Sequence, residues 1–146
     1  MTDHGRRTTP FLFCLVLTAC SNASVPSPEQ VPAGAKCARC GMPIARLEFA
    51  AQTVFPNASP RFYDDIGCLV MDSLARKPGG RFYAQLAGGR GWVRVEDVAY
   101  ASPAGLQSPM GFNFVAYPEE EARAVDRGGR ARSWDELVYD VERQGR

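Results

Sequence analysis

The chain has 146 residues, 45% of them hydrophobic and 23% charged, a composition that suits one compact globular unit. That length is too short for a TIM barrel or a two-domain dehydrogenase. Lys and Arg number 17 against 16 Asp and Glu, a net charge of +1, so nothing indicates a basic nucleic-acid surface or an acidic solvating tail.

Residues 1–10 are polar and carry Arg6 and Arg7, and Phe11 to Ala19 are almost wholly apolar. A charged segment followed by a short apolar run is the pattern of a secretory signal. The run is well below the roughly 20 residues that span a bilayer. It ends Leu17-Thr18-Ala19-Cys20, which resembles the bacterial lipobox. That resemblance implies cleavage before Cys20 and acylation of its thiol and new amino group, and Ser21 in place of Asp favours attachment to the outer membrane, facing the periplasm. Residues 1–19 are thus expected to be a lipoprotein signal peptide and 20–36 an acylated Cys with a disordered tether. The tether is Ser, Ala, Pro and polar residues, with Val25 and Val31 its only larger apolar side chains.

Processing changes the inventory of chemistry-bearing residues. The one histidine, His4, leaves with the signal, and with it the commonest general base and metal ligand. Cys14 leaves too and Cys20 is blocked by lipid, so the usable thiols are Cys37, Cys40 and Cys68.

The folded body is expected over 37–146. Leu47, Phe49, Ala51, Thr53 and Phe55 alternate with the residues between them, which predicts a half-buried strand. Pro56-Asn57 begins a turn, and Arg61-Phe62-Tyr63 is a short second strand. Asp64 or Asp65 can cap the following helix, whose expected inner face is Ile66, Leu69, Val70, Ser73 and Leu74. Arg76-Lys77 and Pro78-Gly79-Gly80 end it. Phe82–Leu86 and Trp92–Val95 read as a hairpin across Gly88-Gly89-Arg90-Gly91. Gly111 to Tyr117 reads as another strand, and Pro118 with Glu119, Glu120 and Glu121 opens a helix that Gly128-Gly129 stops. Ser133 with Glu136 forms a capping box for a last helix through Leu137, Val138 and Val141. Strand-then-helix order occurs twice, a sign of weak internal duplication. The expected fold class is α+β, packed as one compact unit after the tether, with halves at about 37–98 and 99–146.

Cys37-Ala38-Arg39-Cys40-Gly41-Met42-Pro43 places three sulfurs on a short loop. Thiolate and thioether are soft donors that favour Cu(I), and Gly41 lets the backbone turn so that sulfurs converge. Other chemistries remain open for this motif. Structural zinc usually takes four Cys or His ligands, so here it needs a carboxylate or a second chain. A thioredoxin-like pair sits at the start of a helix after a buried strand, whereas this motif follows a tether. A plain Cys37–Cys40 disulfide suits an oxidising compartment. Cys68 and Met71 share a helix face and read first as core residues. Asp64-Asp65 reads first as a helix cap, and Met110 lies in a Pro-Met-Gly turn.

Taken together, the lipobox at Cys20, Cys37-Ala-Arg-Cys40-Gly-Met42, Phe62-Tyr63-Asp64-Asp65-Ile66-Gly67-Cys68, Ser108-Pro109-Met110-Gly111 and the Gly129–Leu137 stretch resemble the NosL family of nitrous oxide reductase maturation lipoproteins. The resemblance implies a periplasmic copper chaperone that binds Cu(I) and delivers it for the reductase's copper centres during denitrification. It implies action with an ABC transporter complex and its periplasmic subunit, with no enzymatic activity of its own. Cys40 and Met42 match the family's copper ligands, Met110 is a candidate third ligand, and Cys37 is a further candidate. Asp64 and Asp65 are expected to order the neighbouring loop rather than bind metal. The family also implies two small related ββαβ-like halves. The rival expectation is a lipid-anchored thiol–disulfide oxidoreductase using Cys37 and Cys40.

Overall fold

The computed structural model describes residues 26–126 and 128–145, together with Met1. The predicted signal after Met1, Cys14 and the predicted lipidation site Cys20 lie outside the described residues.

The fold is α+β. Strands β1 (Ala51–Phe55) and β2 (Ala58–Tyr63) form a hairpin, followed by helix α1 (Ile66–Arg76) and strands β3 (Arg81–Gln85) and β4 (Trp92–Arg94). They make a four-stranded antiparallel sheet in the order β2-β1-β3-β4. Strands β5 (Ala99–Ala101) and β6 (Val115–Tyr117), then helices α2 (Glu119–Val125) and α3 (Trp134–Gln144), complete the chain. β5 pairs with β6, and on its other edge Tyr100 exchanges backbone hydrogen bonds of 2.8 and 2.9 Å with Arg132. The second half therefore repeats the ββαβ order of the first, with its last strand reduced to one bridge. A parallel bridge between Leu86 and Ala116 joins the two sheets.

Both halves share one core. Tyr63, Ile66, Leu69 and Val70 from the first pack with Tyr100, Phe114, Leu137 and Val141 from the second, and α1 lies beside α3. Truncating a fully buried side chain such as Leu69 or Leu137 to Ala would cost about 2–5 kcal/mol. Among the described residues, no helix is long and apolar enough to cross a membrane.

Several local expectations need correction. Leu47–Phe49 is a 3-10 turn, not the start of β1; it buries Phe49 and leaves Leu47 exposed. β1 is buried on both faces from Ala51 to Val54. Gln52 explains why a polar strand position can be covered. Its amide Nε2 donates to the Glu29 carbonyl at 2.9 Å, and its Oε1 accepts from the Glu29 N–H at 2.9 Å. The carboxamide thus satisfies a passing backbone as a neighbouring strand would. Tyr83 Oη donates to the Pro26 carbonyl at 2.7 Å, so from Pro26 onward the predicted tether is docked on the body.

On α1, Leu74 is exposed and Asp72 is buried. The Asp72 carboxylate accepts from Tyr63 Oη at 2.9 Å and pairs with Arg76 at 2.8 Å, and these partners make its burial tolerable. The strand expected from Gly111 starts only at Val115, because Asn113 has φ +63 and its Oδ1 accepts from the Ser108 N–H at 2.9 Å. α2 ends at Val125, ahead of the glycines, since Asp126 leaves the helix to collect donors. The capping box of Ser133 and Glu136 is present.

Asp126 fastens the second half. Burial favours its neutral form, but the N–H groups of Ser102, Gly128 and Arg130 and the guanidinium of Arg132 outweigh burial and hold its pKa down at about 2, below its ordinary 3.8. A depressed folded-state pKa gives stability that is present above the unfolded value and lost as pH falls through the folded one. Acidification from pH 4 to pH 2 should therefore remove about 2 kcal/mol through this group. Denaturant titrations at pH 5, 3 and 2 check this, and Asp126→Asn should be less stable at pH 5 and lose that part of the acid dependence.

Candidate metal centre

The loop that carries the Cys-x-x-Cys motif is closed by backbone bonds. A bridge between Lys36 and Pro43 forms its base. The Cys37 N–H donates to the Met42 carbonyl at 2.8 Å, and the Gly41 N–H donates to the Cys37 carbonyl at 2.9 Å. Gly41 has φ +77, a conformation costly for any residue with a Cβ, and it is what returns the chain toward Cys37. The Ala38 N–H donates to the Phe62 carbonyl at 2.8 Å, which staples the loop to the end of β2. Two residues beyond Phe62 the chain reaches Asp64, then enters α1 with Cys68 in its first turn.

This junction gathers four donors. The sulfurs of Cys37, Cys40 and Cys68 and one carboxylate oxygen of Asp64 all lie within 4.8 Å of one another and can hold a metal ion. A tetrahedral ion with metal–sulfur bonds of about 2.3 Å needs donors about 3.8 Å apart, so inward shifts of an ångström or less would close the set. All three cysteines are free thiols. Cys37, Asp64 and Cys68 are buried, at 3%, 2% and 0% exposure. Cys40 is only partly buried and is the side of the group nearest solvent.

Electrostatics differentiate the thiols. Cys40 Sγ lies 3.5 and 3.6 Å from the two Asp64 oxygens and donates its S–H to that carboxylate. Burial is the main cause that raises the Cys40 pKa, with added repulsion from Cys37 and Asp64. The Cys68 thiol beside Cys37 favours the Cys37 thiolate and outweighs burial, and Cys68 is raised in return. Cys37 is thus the first of the three to ionise.

The paired aspartates face different ways. Asp65 is the N-cap of α1: its Oδ1 accepts from the Gly67 N–H at 2.8 Å. Its Oδ2 accepts from Ser108 Oγ at 2.5 Å and from the Met110 N–H at 3.0 Å. Asp65 therefore fixes the Pro-Met-Gly turn against the helix start, while Asp64 faces the thiols. Gly67 completes the joint, because a Cβ there would lie 2.1 Å from the Phe112 ring. Met42 and Met110, the two thioethers singled out from the sequence, are exposed, at 55% and 38%. Met71 is partly buried against the core.

Of the sequence-derived candidates, the structure brings Cys37 and Cys40 together, and it adds Cys68 and Asp64 to them. The sequence signal for Cys68 is its place at N3 of a capped helix directly after a strand, which points it back toward the strand end. Asp64 supplies the fourth donor whose absence had weighed against zinc, so the chemistry of the group admits a divalent thiophilic ion as well as a cuprous one. An open groove of about 440 Å³ between Asp97, Glu119, Arg123 and Glu136 carries no sulfur and lies apart from this group.

No protein-family model matches the chain, and neither a curated protein nor a solved structure does.

Removing the Asp65 carboxylate should be costly, because it takes away a helix cap and orphans two further donors. Asp65→Ala is expected to lower stability by about 2–4 kcal/mol and to speed amide hydrogen exchange at Met110, read by urea denaturation and by exchange mass spectrometry. Ser108→Ala, which removes one of the three donors, should cost less.

Proposed function

We propose that the chain is a periplasmic, lipid-anchored Cu(I)-binding protein, most simply attached to the outer membrane, that delivers copper for assembly of the copper centres of nitrous oxide reductase. Copper is its cargo, and it catalyses no reaction. The observation that carries this reading is the cluster of three free thiols with one edge open at Cys40. Soft thiolates select Cu(I) over hard cations. Exposed thioethers at Met42 and Met110 stand on the two segments hydrogen-bonded to Cys37 and Asp65, and they suit an outgoing ligand set that a partner can reach. The resemblance to the NosL family supplies the acceptor pathway: an ABC transporter complex and its periplasmic subunit.

Thiol–disulfide exchange is supported less well. It needs an accessible thiol of depressed pKa as nucleophile. Here the thiol most readily ionised, Cys37, is buried, and the more exposed Cys40 is shifted the other way.

Titration of the reduced chain with Cu(I) against a competing chelator tests the reading. Cys40→Ser should weaken binding at least about tenfold, and Met42→Ala should speed or slow transfer to a thiol acceptor. Parent-like behaviour of both variants would sink the copper reading. A preference for Zn(II) over Cu(I) when the two compete would count against it equally. In cells, loss of the chain should leave the reductase depleted of copper.

A further inference from the structure

We propose that Cys68 is a copper ligand, and that Cu(I) is held by the enclosed trio Cys37, Cys40 and Cys68, with Met42 and Met110 serving only its departure. This rests on the cuprous reading of the same site and assigns the residue that sequence reasoning left in the core.

Cys68 has no exposed surface, yet its sulfur does not face hydrocarbon alone: it lies within 4.8 Å of two other sulfurs and a carboxylate oxygen. Its place is over-determined. Asp65 caps the first turn of α1 and Gly67 is held against Phe112, so the backbone at Cys68 has no freedom to withdraw the thiol. On the other side, the bonds from Cys37 to Met42 and from Ala38 to Phe62 hold the loop over it. The N-terminal end of α1 adds positive potential where a thiolate would form. Three preset sulfurs, two of them shielded from water, bind Cu(I) with little rearrangement.

The burial gradient then orders release. Cys40 is the thiol nearest solvent and Met42 follows it two residues later with an exposed thioether. A sulfur from an acceptor would displace Cys40 first, and Cys68 would let go last. Copper changes partners by ligand exchange with no change of oxidation state, so the step needs no oxidant or reductant.

The test uses the full chain, reduced, in detergent and without oxygen, loaded with one equivalent of Cu(I). Copper X-ray absorption should count three sulfur neighbours in the parent and two in Cys68→Ala, and chelator competition should show the variant at least about tenfold weaker. Met42→Ala should keep three sulfurs and near-parent affinity. Cys68→Ser, closer to the native side chain in size, guards against a folding failure of Cys68→Ala, and circular dichroism of both checks the fold. Two sulfurs in the parent, or parent affinity in a folded Cys68 variant, would overturn the assignment while leaving the cuprous reading intact. Absence of Cu(I) binding by the parent itself would overturn both.

Discussion

Asp65 has no exposed surface, and its two oxygens receive three donors from two parts of the chain. One donor is the start of α1, and the other two belong to the Ser108–Met110 turn, more than 40 residues later. Burial raises the pKa of this carboxyl, and the three hydrogen bonds pull the other way. Such a group is tolerated in an interior only when its donors are in place. The helix start, the Pro-Met-Gly turn and the packing of Phe112 on Gly67 therefore stand or fall together, and that joint sets the places of Cys68 and Met110.

What was legible in the sequence was mostly what is decided locally. The Ser133–Glu136 capping box, the β1–β2 hairpin and the strand-to-helix step at Tyr63–Ile66 depend on neighbours a few residues apart, and the repeated strand-then-helix order follows from them; the full ββαβ order of the halves comes only with the family resemblance. Alternation misled at Leu47–Phe49, where a 3-10 turn buries Phe49 without a strand. Helical periodicity missed Asp72, because counting apolar positions cannot anticipate that Tyr63 and Arg76 would pay for burying a carboxylate. Composition alone predicts a tether over residues 26–36. Nothing local tells that Gln52 can present its amide to a passing backbone.

The site divides the same way. Cys37 and Cys40 were visible as a motif because they share one loop, and Gly41 marked where that loop turns. Cys68 and Asp64 belong to the group through tertiary geometry: the contact between Cys40 and Asp64 spans 24 residues and exists because Ala38 is bonded to the end of β2. A cysteine in a helical apolar pattern is ordinarily core. Only the assembled junction shows that its neighbours are sulfur and oxygen.

Three is an odd number of thiols to keep within mutual reach. Disulfide formation consumes sulfurs in pairs, so joining any two of Cys37, Cys40 and Cys68 leaves the third a thiol beside the new bond. Once Cys37 is in a bridge, the thiol that remains is one shifted toward its protonated form, a weak nucleophile toward the bond beside it. A bridge that includes Cys40 would lie where a reductant can reach it, whereas one between Cys37 and Cys68 would be shielded from solvent.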